Sequence, residues 1–197
     1  IQSALGTQTA GSTFRPASYN GIYGFKPSFG IFPRTGLLKT TDTLDHPTVL
    51  SRSIDDIEIL FNVIRVKGPN YPLVYKNLLQ KKYSKQTPVY FFKGYTWKNL
   101  DKFTKEQFEK FIEKIQKKLN IRVKELKLSS DFNKIHYSHE IIYNKSLSYY
   151  FNNEYSNHYN KLSNSLTSMI DKGKTINLNN YKNELLRQEK LQAKLNK

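Results

Sequence analysis

Gly6-Thr7-Gln8-Thr9-Ala10-Gly11-Ser12 is the stretch from which this chain is read. Glycine and alanine let the backbone turn sharply and come close to another group. Successive N–H groups in such a turn can point at one oxygen, which is the geometry of an oxyanion hole. Residues 1–7 read as a short buried strand leading into the turn, and 11–19 as a short helix whose positive end lies beside Ser12. A serine on a tight strand-to-helix turn is a recurrent nucleophile position. The plainer reading of the same residues is a glycine turn with a capping serine.

The residues that follow separate these readings. Ser12-Thr13-Phe14-Arg15-Pro16-Ala17 runs into Asn20-Gly21-Ile22-Tyr23-Gly24-Phe25-Lys26-Pro27-Ser28-Phe29-Gly30, then Pro33-Arg34-Thr35-Gly36, Leu44-Asp45 and Arg52-Ser53-Ile54-Asp55-Asp56. This series resembles the core of the amidase signature family: a glycine-rich turn, a nucleophilic serine, Arg-Pro-Ala, and a Gly-x-x-Gly-[Leu/Phe]-Lys-Pro-[Thr/Ser]-x-Gly stretch. The resemblance covers about the first sixty residues and beyond Arg65 rests mainly on the order of elements.

The resemblance implies an α/β fold with a mixed β-sheet covered by helices on both faces, forming one partial domain over 1–197. Its catalytic core would lie in 1–65 and a helix-rich substrate or scaffold part in 66–197. It also implies a Ser–Ser–Lys amidase that works through an acyl-enzyme, in which a neutral lysine and a bridging serine take the nucleophile's proton. An alcohol needs such a base, and a lysine can serve only where its site depresses its pKa. Ser12 matches the nucleophile. Thr9, Ala10 and Gly11, with Ser12 itself, match the backbone donors of the oxyanion hole. Arg15 matches a position that contacts a substrate carboxylate in members near malonamidase, although a structural arginine would fit there as well. In the family the lysine and the bridging serine precede the nucleophile. Only eleven residues precede Ser12, and Lys26 belongs to the Gly-Phe-Lys-Pro motif. The chain is therefore expected to be an internal piece of a longer enzyme, inactive by itself.

The expected reaction is hydrolysis of a linear carboxamide to a carboxylate and ammonia or an amine, with no cofactor and no metal. One alternative is an amidotransferase subunit of the same family, although such members usually carry Asp where Gln8 stands and Gly where Ala10 stands. A second alternative, of another class, is a non-enzymatic basic module that binds nucleic acid. The formal charge of +16 raises it. The first sixty residues balance five basic against five acidic side chains, whereas 76–134 carries sixteen basic against six acidic. Those lysines are scattered among Asn, Ile and Tyr without an Arg-rich block, as a biased composition would scatter them, so no nucleic-acid partner is expected. No apolar run approaches the ~20 residues of a membrane span, so no membrane partner is expected. Cysteine is absent, which suits a reducing compartment. A cytoplasmic enzyme acting on a small amide is expected, with a homodimer left open.

Further along, 21–26 reads as strand and 26–45 as loop. Ser53 reads as the cap of a helix, with Asp56 in the capping-box position and Ile54, Ile57, Leu60, Phe61 and Ile64 as its apolar face. Gly68-Pro69-Asn70-Tyr71-Pro72 reads as the end of that unit. Pro88-Val89-Tyr90-Phe91-Phe92 reads as a parallel strand, Thr104-x-x-Gln107 as the capping box of an amphipathic helix, and 121–128 as the next strand, which together make a βαβ unit. Residues 131–197 read as two or three helices, with Gly173 as a breaker and Asn179 as the start of the last. His136 and His139 lack the spacing of a known zinc motif and read as structural; His46 reads as a surface or packing residue.

Overall fold

The structure is a computed structural model and describes residues 1–68 and 88–195. It divides into two units, one of Ile1–Lys76 and His139–Leu186, the other of Asn77–Ser138 and Arg187–Lys197. The expected end, at 68–72, of the unit that contains the Ser53-capped helix falls almost wholly outside the described residues.

The first unit is built on an antiparallel three-stranded sheet in the order β1 (Ser3–Gln8), β3 (His46–Ser51), β2 (Tyr23–Phe25). β3 lies in the middle, with Leu5 paired to Val49 on one side and Phe25 paired to Val49 on the other. Period-2 alternation gives β3 two different faces. Val49, fully buried, meets Phe32, Ile57 and Phe61, with Phe25, Ile31, Leu60 and Ile64 around them. The Phe25 and Phe61 rings meet edge-on at 5.8 Å, an arrangement that adds to the burial of their area. On the opposite face Thr48 reaches α1 (Phe14–Asn20), where its hydroxyl lies 2.6 Å from that of Thr13. A Cβ on Gly24 would stand 3.1 Å from Ala17 Cβ and 3.2 Å from Thr13 Cγ2, so glycine is what lets α1 lie close on the sheet.

α2 (Ile54–Ile64) starts at Ser53, whose Oγ accepts from Asp55 N and Asp56 N. The capping box is not closed. Asp56 instead accepts from Gln2 Nε2 at 2.6 Å, and Ser53 N donates to Ser51 Oγ. Ile57 and Phe61 are buried as the periodicity predicts, but Ile54 is 60% exposed. β1 also departs from the expected buried strand: among the described strands it lies at the edge of the sheet, and Leu5 is 69% exposed.

The second segment of this unit, His139–Leu186, is mostly helical. It comprises most of α4 (Ile135–Tyr150), α5 (Asn152–Asn157), α6 (Asn164–Thr175) and the first half of α7 (Leu178–Leu195). Gly173 does not break a helix. It lies inside α6, buried, where an added Cβ would overlap the Asn144 carbonyl oxygen of α4. α7 begins at Leu178 rather than Asn179, because Asn177 Oδ1 accepts from Asn180 N.

The second unit holds β4 (Val89–Phe91) and β5 (Val123–Glu125), paired in parallel with Val89 opposite Val123 and joined through α3 (Lys102–Leu119). The strand–helix–strand reading is therefore correct. The cap of α3 is Asp101, not Thr104: its carboxylate accepts from Thr104 N and Thr104 Oγ1, both at 2.7 Å. A carboxylate bonds an orphan N–H more strongly than a hydroxyl and suits the positive end of the helix. Asn120, at φ 50°, closes the helix in the left-handed region. The class is α/β, with the described strands in one antiparallel and one parallel sheet.

Candidate functional site

The turn at Thr9–Ser12 leaves the end of β1 and enters α1 through Thr13. Among the contacts that hold it are those made by Gln8, Arg15 and Asp45. Gln8 is 4% exposed, and its Oε1 accepts from Thr13 N at 3.0 Å and Phe14 N at 3.3 Å, so a side chain from the strand caps the helix. Arg15 N donates to the Gly11 carbonyl at 3.0 Å and closes the turn. Thr9 Oγ1 donates to Asp45 Oδ1 at 2.8 Å.

Asp45 anchors the loop before β3. Its carboxylate also accepts from Thr40 N at 2.7 Å, Thr41 N at 2.9 Å, Thr40 Oγ1 at 2.7 Å and Thr41 Oγ1 at 3.0 Å. Burial pushes this carboxyl up, but the bonds from Thr41 and Thr40, with that from Thr9, outweigh it and hold the group below its ordinary value. Next to it His46 is the first residue of β3 and donates from Nδ1 to the Leu44 carbonyl at 2.7 Å. Burial, with positive charge from Lys26 and Arg34, lowers its pKa. Partly buried and bonded to backbone, His46 fits the surface or packing role expected of it. A cavity of about 230 Å³ opens beside this cluster, lined in part by Thr9, Arg34, Leu38, Lys39, Thr40 and His46.

Within the turn Ser12 is exposed, and its hydroxyl bonds no group among the described residues. The N–H groups of Ala10, Gly11 and Ser12 likewise donate to no acceptor among the described residues. Three free donors beside a free hydroxyl can receive an oxygen that gains negative charge. Arg15 lies in the first turn of α1, exposed, with no ion pair or side-chain hydrogen bond among the described residues. Lys26 is partly buried, and burial lowers its pKa.

His139, on α4, donates from Nε2 to the Thr9 carbonyl at 3.3 Å. Nothing in its local sequence signals this contact, which spans 130 residues. In the second unit His136 packs against Tyr95, with ring centroids 5.2 Å apart and the rings tilted by 47°. Among the described residues no group of three or more His, Asp or Glu converges as metal ligands would, and no helix is long and apolar enough to cross a membrane.

A mitochondrial glutamyl-tRNA(Gln) amidotransferase subunit from Aedes aegypti is 47% identical over 68 residues, which is 34% of this chain and 13% of that protein. The counterpart from Mus musculus is 38% identical over 78 residues, 40% of this chain and 15% of that protein. The chain thus matches only about a seventh of the length of these relatives. A crystal structure of an amidase superposes on 98% of this chain and 42% of its own at a TM-score of 0.79 and 22% identity. The structure of 6-aminohexanoate cyclic dimer hydrolase with substrate superposes on 94% of this chain and 42% of its own at a TM-score of 0.77 and 13% identity. At those identities the likeness is one of fold. The family model described as Amidase matches residues 1–196, and by that match the chain belongs to the amidase family, whose members act on carbon–nitrogen bonds.

Proposed function

We propose that this chain carries the nucleophile and oxyanion hole of an enzyme that hydrolyses a linear carboxamide. The observation that carries the reading is an exposed Ser12 hydroxyl at the head of α1, beside the unpartnered N–H groups of Ala10, Gly11 and Ser12. In this reading Ser12 Oγ attacks the amide carbonyl carbon. The carbonyl oxygen becomes an oxyanion, received by the donors of Thr9, Ala10, Gly11 and Ser12. Collapse expels ammonia or an amine, and water releases the carboxylate. Donors fixed before the reaction need no reorganisation as charge develops, which makes them effective. Arg15, exposed and unpaired, would contact a carboxylate on the substrate.

The proton of Ser12 needs an acceptor within hydrogen-bond reach, and none of the described residues provides one. The reading assigns that work to a lysine–serine relay of the kind the family uses, in positions no residue of this chain matches. Residues 1–197 alone are therefore expected to turn over amides no better than such remnants do, roughly 10³–10⁴-fold over water. The working protein is read as cytoplasmic.

The test is Ser12→Ala in the protein carrying this chain. Its kcat on small linear amides should fall by at least about 10⁴-fold, and covalent labelling by a fluorophosphonate should disappear. Retention of a tenth of wild-type kcat would overturn the assignment. The identity to glutamyl-tRNA(Gln) amidotransferase subunits favours a second reading, in which glutamine is the amide and ammonia passes to a glutamyl-tRNA. Glutaminase activity stimulated by that tRNA would select it over simple hydrolysis.

A further inference from the structure

The Thr9 residue is gripped at both ends of its functionality. Its hydroxyl is tied to Asp45 at 2.8 Å, and its carbonyl oxygen receives His139 Nε2–H at 3.3 Å. The imidazole is itself steadied by Tyr143 one turn later on α4, with ring centroids 5.7 Å apart. The Thr9 carbonyl and the Ala10 N–H belong to one planar trans peptide, so they point in opposite directions. A bond that fixes the carbonyl therefore fixes the direction of the N–H. The Ala10 N–H is one of the three turn donors with no partner among the described residues, and nothing on its own side holds it in place.

We propose that His139 is a positioning residue of the oxyanion hole: by holding the Thr9 carbonyl from α4, it orients the Ala10 N–H toward the oxygen that becomes charged. This rests on the reading of Ser12 and its turn given above. Without the imidazole the Thr9–Ala10 peptide is free to rock about its flanking bonds, and the donor is misaligned when the oxyanion forms. An oxyanion bond strengthens in the transition state, so the loss belongs in kcat with KM little changed. Outright removal of one such donor costs roughly 10²–10³-fold in kcat, and a misaligned donor is expected to cost about ten- to a hundredfold.

Reach separates positioning from packing. Glutamine can place an amide N–H near the site of the imidazole Nε2, whereas asparagine, one methylene shorter, falls short of the Thr9 oxygen. In the protein carrying this chain, kcat, KM and the rate of Ser12 labelling by a fluorophosphonate are measured for wild type, His139→Asn and His139→Gln. The Asn variant should lose about ten- to a hundredfold in kcat and in labelling rate at unchanged KM, and the Gln variant should stay within about threefold of wild type. Equal losses in the two variants, or a wild-type rate in the Asn variant, would overturn the proposal. If the Asn variant unfolds, His139→Leu against Gln carries the same comparison, with melting temperatures to exclude loss of fold. Failure of the underlying reading looks different: wild-type turnover and labelling would survive Ser12→Ala, and the proposal would fall with it.

Discussion

Asp45 shows how one side chain ties the turn to the sheet. It accepts from the hydroxyls of Thr9, Thr40 and Thr41 and from the N–H groups of Thr40 and Thr41. Asp45→Ala leaves these donors unsatisfied in a buried place and should cost about 2–4 kcal/mol, read as a lower urea midpoint. The carboxyl is held below its ordinary 3.8 in the native state. As pH falls the unfolded chain takes up this proton first, so Asp45 contributes stability above about pH 3.8 that is lost as pH falls through the native value. His46 also has a lowered pKa, from an ordinary 6.5, so its proton too is taken first by the unfolded chain. Stability should begin to fall as pH drops below about 6.5 and fall again near the carboxylate range. His46→Gln should flatten the upper step and Asp45→Asn the lower; urea midpoints from pH 8 to 3 check both. Arg15 provides a further test. Arg15→Ala should raise KM for amides bearing a carboxylate by about tenfold, as expected for losing a charge-assisted pair, and leave neutral amides near wild type. Equal changes for both would contradict the carboxylate role.

The elements take their boundaries from chemistry that is partly local. Ser53 caps α2 as its sequence position predicts, whereas the capping box predicted at Thr104 gives way to Asp101, because a carboxylate three residues earlier takes the same N–H. Gly173 carries the sharpest prediction at this scale. Its missing side chain lets α6 touch the Asn144 carbonyl of α4, and Lys145 Nζ donates to the Gly173 carbonyl at the same crossing. Alanine would favour an isolated helix by about 1 kcal/mol, yet here backbone occupies the space of its Cβ. Gly173→Ala should destabilise by about 1–3 kcal/mol through the forced separation of the helices. A melting temperature at or above wild type would show that the crossing yields freely. α4 has no clear apolar stripe, because Ile142, Asn144, Ser146 and Leu147 are all buried around it. Periodicity cannot mark a helix that is enclosed on several sides.

At the scale of the molecule the question is what the charge does. The +16 excess is concentrated after Lys76, and on α3 it is interleaved with acids: Lys102 pairs with Glu106 within the helix, and Glu109 pairs with Lys93 outside it. Such a surface should attract nucleic acid only as any polycation would. Binding to a 30-base-pair duplex should be sequence-independent, at roughly 10⁻⁴–10⁻⁶ M near physiological salt, and should weaken steeply as salt rises. Sub-micromolar, sequence-dependent binding in an anisotropy titration would instead support the nucleic-acid reading of the chain.

The sequence by itself determined the turn, the position of Ser12, the strand–helix–strand of the second unit and the family. These depend on residue types at fixed local spacing, where glycine conformation, capping hydroxyls and apolar period act within a few residues. Only the tertiary structure decided that His46–Ser51 is the central strand of the first sheet. Pro47 and the polar residues around it carry no clean alternation, and the strand is stabilised by partners on both sides, at Gly6 and Leu5 and at Gly24 and Phe25. Only the structure brought Asp45 and His139 to Thr9, across 36 and 130 residues. Contacts closed by the fold leave no periodic trace in the chain, because either partner alone is an ordinary polar residue until packing places it beside the other.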